Sequence, residues 1–155
     1  MTRYIIDSSS LNELEDRYPI DISVFEPIYF KLNQMFENGD LFSVREVYEE
    51  LRDSQEYWQD YEECFRELTE KESENVAEIL GSQEFSVFVR WGLEENDGHW
   101  ADPYLVACAM EDSNLIIISE ESSRKKPERK IPYVCNEKGI RCIKVLEFLR
   151  EIEIL

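Results

Sequence analysis

The chain has 155 residues, enough for one domain that buries about 68–70% of the surface its unfolded form would expose. Hydrophobic residues make up 43% and charged residues 34%, which excludes a disordered or fibrous chain, and no apolar run approaches a membrane span. The 17 basic and 35 acidic residues leave a net charge of −18, a surface that repels nucleic acid and anionic membranes unless its cations cluster, and that suits a basic protein partner.

Tyr4-Ile5-Ile6 is too short and too apolar for anything but a buried strand, and it stops at Asp7. Ser10 with Glu13 has capping-box spacing, predicting a helix from there to about Arg17, ahead of Pro19. Ser23 with Glu26 repeats the signature and opens a helix through Ile28, Leu32, Met35 and Phe36, ended by Asn38-Gly39. Leu41-Phe42 reads as a minimal strand, and Ser43 with Glu46 as a third capping box, opening a helix with Val47, Tyr48 and Leu51. From about Asp53 to Trp91 the pattern is helical and polar, with Trp58, Tyr61, Phe65 and Leu68 at spacings of three or four and a break at Gly81-Ser82. That aromatic stripe reads as helix packing rather than a base-stacking surface.

Asn96-Asp97-Gly98 is a turn, and Asp102-Pro103 reads as an N-cap followed by proline at the first helical position. The helix this opens, Tyr104 to Met110, is apolar nearly all round and therefore buried. Leu115 to Ile118 is the clearest buried strand, running into Ser119-Glu120-Glu121. A polar loop from Ser122 to Lys130 carries Arg124, Lys125, Lys126, Arg129 and Lys130, the only dense cationic cluster. Ile131 to Val134 reads as a short strand or loop edge, Ile140 to Ile143 as a strand, and Val145 to Ile152 as a closing helix. Strands alternating with helices predict an α/β fold, a parallel sheet wrapped by helices, in one domain over 1–155.

Cys64, Cys108, Cys135 and Cys142 form no C-x-x-C pair, and His99 is the only histidine, so the spacing excludes an ordinary zinc site. Cys108 and Cys142 read as small buried hydrophobes in a reducing compartment, and His99 beside Trp100 as structural. The short apolar N-terminus is no signal peptide, so a cytoplasmic protein is expected.

The acids stand at telling places. Asp7 directly follows the first strand, Glu121 follows the Leu115–Ile118 strand, Asp102 begins the helix leading into it, and Glu50 lies on the helix after Leu41-Phe42. In an open parallel sheet, sites form beyond the carboxyl ends of the strands. Two carboxylates about 4 Å apart repel by roughly 4 kcal/mol at an effective dielectric near 20. Convergence of four therefore demands a shared proton or a divalent cation, and an all-oxygen donor set suits Mg²⁺ or Mn²⁺. The bland alternatives are a helix cap for Asp102, pairing of Glu50 with Arg45 or Arg52, and a solvated loop for the cationic run.

Four segments, Tyr4-Ile5-Ile6-Asp7-Ser8-Ser9, Val47-Tyr48-Glu49-Glu50-Leu51, Ala101-Asp102-Pro103-Tyr104-Leu105-Val106-Ala107-Cys108-Ala109 and Ile117-Ile118-Ser119-Glu120-Glu121, resemble the successive motifs of PIN domains. With Lys130-Ile131-Pro132-Tyr133-Val134-Cys135, they are most similar to a PIN-like subfamily of bacterial and archaeal proteins of unknown function. The resemblance implies a three-layer α/β/α sandwich around a parallel sheet of about four to five short strands. It also implies Mg²⁺- or Mn²⁺-dependent cleavage of RNA. Many relatives are the toxin of a type II toxin–antitoxin pair, so a cognate antitoxin and a homodimer are the implied partners. Asp7, Glu50, Asp102 and Glu121 take the places of the catalytic metal ligands, with Glu49 and Glu120 as competitors, and Ser8, Ser9 and Ser119 those of supporting residues. The family usually has aspartate where this chain has Glu121. The competing expectations are a catalytically silent module binding a basic protein, and a hydrolase of small phosphate esters.

Overall fold

The computed structural model describes residues 1–51, 56–122 and 124–154. In chain order its elements are β1 (Arg3–Ile6), α1 (Ser8–Arg17), α2 (Glu26–Asn38), β2 (Leu41–Val44), α3 (Arg45–Leu51) and α4 (Glu56–Gln59). They continue with β3 (Phe65–Arg66), α5 (Glu70–Gly81), α6 (Ser86–Glu95) and α7 (Asp102–Met110). The last are β4 (Leu115–Ile118), α8 (Ile131–Lys138), β5 (Cys142–Ile143) and α9 (Val145–Glu151).

The strands form one parallel sheet in the order β3-β2-β1-β4-β5. Helices flank it as an α/β/α three-layer sandwich; α2 lies on β2, while α7 packs between the sheet and α5. β1 and β4 occupy the middle because their residues are apolar on both faces: Ile5, Ile6, Ile117 and Ile118 are all fully buried. Their register pairs Ile5 with Ile117 and Ile6 with Ile118, so both strands end at the same level. Asp7 and Ser119 thus leave the sheet side by side, and the backbone ladder continues for one step through Asp7 N to Ile118 O (3.1 Å) and Ser119 N to Ile143 O (2.9 Å).

The structure corrects several sequence expectations. α1 begins two residues earlier than Ser10, capped by Asp7, whose carboxylate accepts from the Ser10 amide; Ser10 and Glu13 form no capping box. A 3-10 turn over Ser23–Phe25 precedes α2, which starts without a side-chain cap and with Pro27 in its first turn. Ser43 lies inside β2 and donates its hydroxyl to the Ile6 carbonyl, 2.5 Å away, instead of capping α3. The stretch expected to be helical throughout contains β3, with Phe65 opposite Ser43. Ile131 to Val134 opens α8 with Pro132 in its first turn, and is helix rather than strand or loop edge. β5 is shorter than the expected Ile140–Ile143, and Cys142 within it is half-buried, whereas Cys108 is buried as expected. Asp53 and the expected Glu50 partner Arg52 lie outside the described residues.

Trp58 is fully buried and packs with Tyr29, Phe36, Tyr57 and Tyr61, so the aromatic stripe belongs to the core. Among the described residues no helix is long and apolar enough to cross a membrane.

Candidate active site at the carboxyl ends of the strands

Asp7 is 3% exposed and fixed by two neighbours on its own helix turn, Ser9 and Ser10, and by Ser119 across the sheet. Its Oδ1 accepts from the Ser10 amide (2.8 Å) and the Ser9 hydroxyl (2.8 Å), and Ser9 also reaches Oδ2 (2.9 Å). Burial raises its pKa above the ordinary carboxylate value; hydrogen bonds from Ser119, the Ser10 amide and Ser9 act against that rise.

Glu50, on the last turn of α3, accepts a 3.0 Å hydrogen bond from the Ser8 hydroxyl. Burial pushes its carboxyl up to about 7, and the charges of Asp7 and Glu121 push in the same direction, against hydrogen bonds from Ser8 and the Ala101 backbone. Its neighbour Glu49 is exposed and lies 3.4 Å from Arg45 Nε. Arg45 itself reaches Glu62 at 2.6 Å. Of the two candidates of this motif, Glu50 is the one bonded to Ser8 and influenced by the charges of Asp7 and Glu121.

Asp102 is the first residue of α7, but Ala101 occupies the capping position and no side chain caps the helix. The expected capping role is absent, which leaves the Asp102 carboxylate without a structural duty at the helix end. Part of the residue reaches the surface, yet its carboxyl group is enclosed. Burial raises its pKa well above the usual range, followed by the charges of Glu121, Asp7 and Glu50, with a Trp100 hydrogen bond opposing.

Glu121 and Glu120 are parted by their hydrogen bonds. Glu120 accepts from the Val145 amide at 2.9 Å and so serves as the cap of α9. Glu121 accepts from the Ile131 amide at the start of α8 (3.2 Å), while its own amide donates to Ser119 Oγ (3.3 Å). The Glu120 amide in turn donates to Ser9 Oγ (3.1 Å), which ties this loop to α1.

All four expected acids lie at one end of the sheet, delivered by four different elements, near enough for Asp7, Glu50 and Glu121 to act on the charge of Asp102, with Ser8, Ser9 and Ser119 among them. They act on one another electrostatically, but among the described residues no group of three or more His, Cys, Asp or Glu side chains is already drawn together to hold a metal ion. The donor set, carboxylate oxygens without histidine or thiolate, fits a hard cation.

The cationic loop divides. Arg124 lines a cavity of about 330 Å³ that also takes in Glu121, Ser122 and Lys144. Lys125 and Lys126 are exposed, with Lys126 in the left-handed region at φ +46°. Arg129 instead lies over the Trp91 ring, 4.0 Å from its centroid, so it pins the loop to α6; Lys130 precedes α8. Lys144, between β5 and α9, escaped the sequence reading because it stands alone; only the fold brings it to Glu121. His99 and Trp100 line a second cavity, beside Glu50.

No curated protein and no solved structure matches the chain significantly. A family described as a domain of unknown function (DUF4411) matches residues 4–154, from the first strand through the last helix, and the chain belongs to that family.

Proposed function

We propose that the chain is a metal-dependent endoribonuclease whose site is the cluster Asp7, Glu50, Asp102 and Glu121. The carrying observation is placement: Asp7 and Glu121 follow β1 and β4, Glu50 and Asp102 come to the same end of the sheet on α3 and α7, and the Asp102 carboxyl, enclosed by burial, also feels the charges of the other three. Like charges enclosed together at the end of a parallel sheet mark a candidate functional site. The motif resemblance to PIN domains supports the same assignment and adds RNA as substrate.

The four carboxylates would hold Mg²⁺ or Mn²⁺, which supplies an activated water and neutralises charge gathering on a phosphodiester. The remaining work belongs to the chain. Ser9 and the Ser10 amide lock Asp7, Ser8 locks Glu50, and the Ile131 amide holds Glu121, so three acids are oriented before substrate arrives. Arg124 and Lys144 place positive charge beside Glu121, where phosphates flanking the cut would lie. On this reading the protein acts as the toxin of a toxin–antitoxin pair, restrained by a cognate protein.

Purified protein with RNA and Mn²⁺ should give cleavage that EDTA stops and that Asp7→Asn lowers by at least about a hundredfold, the scale of losing one transition-state contact. Cleavage that survives the substitution would sink the proposal. The −18 charge favours a second reading, a silent module that binds a basic protein; it gains if RNA stays intact while a basic partner is captured equally by wild type and Asp7→Asn. Turnover of small phosphate esters but not RNA would point to the third chemistry.

A further inference from the structure

Cys135 on α8 and Cys142 on β5 have six residues between them. The turn joining the two elements folds the chain back on itself. Gly139 takes φ +69°, and the Ile140 amide donates to the Cys135 carbonyl at 2.8 Å. β5 then runs alongside β4, with Cys142 opposite Ile117. The two side chains meet as a result, the Cys135 thiol in a hydrogen bond with that of Cys142. That bond, and burial after it, pushes the Cys135 thiol above its ordinary value. Their surroundings differ. Cys135 is 1% exposed, whereas Cys142 is half-buried and lines the cavity of about 330 Å³ that it shares with Glu121, Arg124 and Lys144. A buried cysteine ordinarily packs alone as a small hydrophobe. Two in sulfur contact, one of them open to a cavity, can be oxidised to a bond within the chain.

We propose that Cys135 and Cys142 are a redox pair that closes to a disulfide under peroxide and thereby moves the seat of Glu121, an inference that stands without the ribonuclease reading. The Cys142 sulfur, as thiolate, attacks one peroxide oxygen; the O–O bond breaks, and the departing hydroxide takes up a proton as water. The Cys135 sulfur then attacks the sulfenic sulfur of Cys142, the S–O bond breaks, and a second water leaves with the Cys135 proton. Two thiols are oxidised by two electrons in all, and one peroxide is reduced to two waters. Bond formation draws the sulfurs from contact to about 2.05 Å, so α8 and β5 must close on each other. Ile131 stands one turn before Cys135 on α8, and its amide holds Glu121 at 3.2 Å. A shift of α8 therefore reaches that carboxylate directly.

The test treats the reduced, metal-free full chain with hydrogen peroxide, blocks the remaining thiols by alkylation and weighs the product. Free thiols should fall from four to two, with a mass loss of about 2 Da before alkylation. A proteolytic map should join the segments that carry Cys135 and Cys142, and dithiothreitol should restore all four thiols. The Ile131 amide resonance should shift on oxidation and return on reduction. In Cys142→Ser it should do neither, and thiol loss should slow by at least about tenfold. Cys64→Ser should leave the link intact, because Cys64 adjoins β3 at the far edge of the sheet. Four thiols persisting in folded wild type, oxidation that stops at a sulfinic Cys142, a link to Cys64 or Cys108 instead, or an unmoved Ile131 resonance would each overturn the proposal. The link is read on wild-type protein, so it is decided even if a variant fails to fold. RNA cleavage or its absence bears on the ribonuclease reading alone.

Discussion

Two glutamates show how position sets the sign of a charge's effect on stability. Glu50 has its carboxyl raised from 4.5 to about 7, chiefly by burial. The folded chain therefore binds this proton more tightly than the unfolded chain, and stability contributed by the protonated form is lost as pH rises from about 4.5 through 7. Full ionisation weakens the fold by on the order of 3 kcal/mol. Metal-free protein should melt at a lower temperature at about pH 8 than at about pH 5.5, and Glu50→Gln should remove much of that gap; a scanning calorimetry series at both pH values decides it. Mn²⁺ should raise the melting temperature more at the higher pH, since only ionised acids attract it. Glu72 behaves oppositely. Its two oxygens meet Arg66 Nη1 and Nη2 at 2.8 Å each, which holds its carboxyl down at about 2. Its stabilisation is present above about 4.5 and disappears as pH falls toward 2, so Glu72→Gln should lower the urea midpoint at neutral pH and flatten the acid limb.

Among elements, the adjacent Glu120 and Glu121 have separable duties. Glu120→Ala removes the carboxylate at the start of α9 and should cost about 1 kcal/mol in urea unfolding while RNA cleavage persists. Glu121→Ala should abolish cleavage; matching losses of activity in the two variants would erase the distinction. Gly92→Ala drives a methyl into Trp100 and should cost about 1–3 kcal/mol by the same measurement. The strands β1 and β4 were readable because unbroken apolar runs such as Ile116-Ile117-Ile118 have no other home than the middle of a sheet. β3 was not, since two residues carry no period and Phe65 also continues a helical spacing. The serine-based capping boxes misled because a serine at a strand end can bond across the sheet, as Ser43 does to Ile6, and because Asp7 outcompetes Ser10 for the cap of α1. Asp7, Asp102 and the two ambiguous glutamate pairs were legible as candidates from their places after strands. Choosing within each pair required the partners Arg45, Ser8, Val145 and Ile131, and neither Lys144 nor the Trp100–Tyr104 cavity leaves a mark in the linear sequence.

For the whole molecule, a charge of −18 makes salt act in two directions. Added salt should stabilise the folded chain by screening self-repulsion, and should weaken RNA binding if Arg124, Lys125, Lys126 and Lys144 contact phosphates. Each such contact removed should flatten the logarithmic salt dependence by about 0.7 for single-stranded RNA, so Arg124→Ala/Lys144→Ala should do so by about 1.4 in filter-binding titrations. Arg129→Ala should act differently, loosening the loop from Trp91 and lowering stability more than it changes the slope.

The sheet order carries a consequence for synthesis. β1 leaves the ribosome first, yet its two neighbours begin at Leu41 and Leu115. Until β4 has been made, the strand that leads into Asp7 has one bare flank. The acid cluster is therefore assembled only once the residues after β4 have been added. On the ribonuclease reading, a nascent fragment stalled before β4 should leave RNA intact, because it lacks Glu121 and the strand that places it.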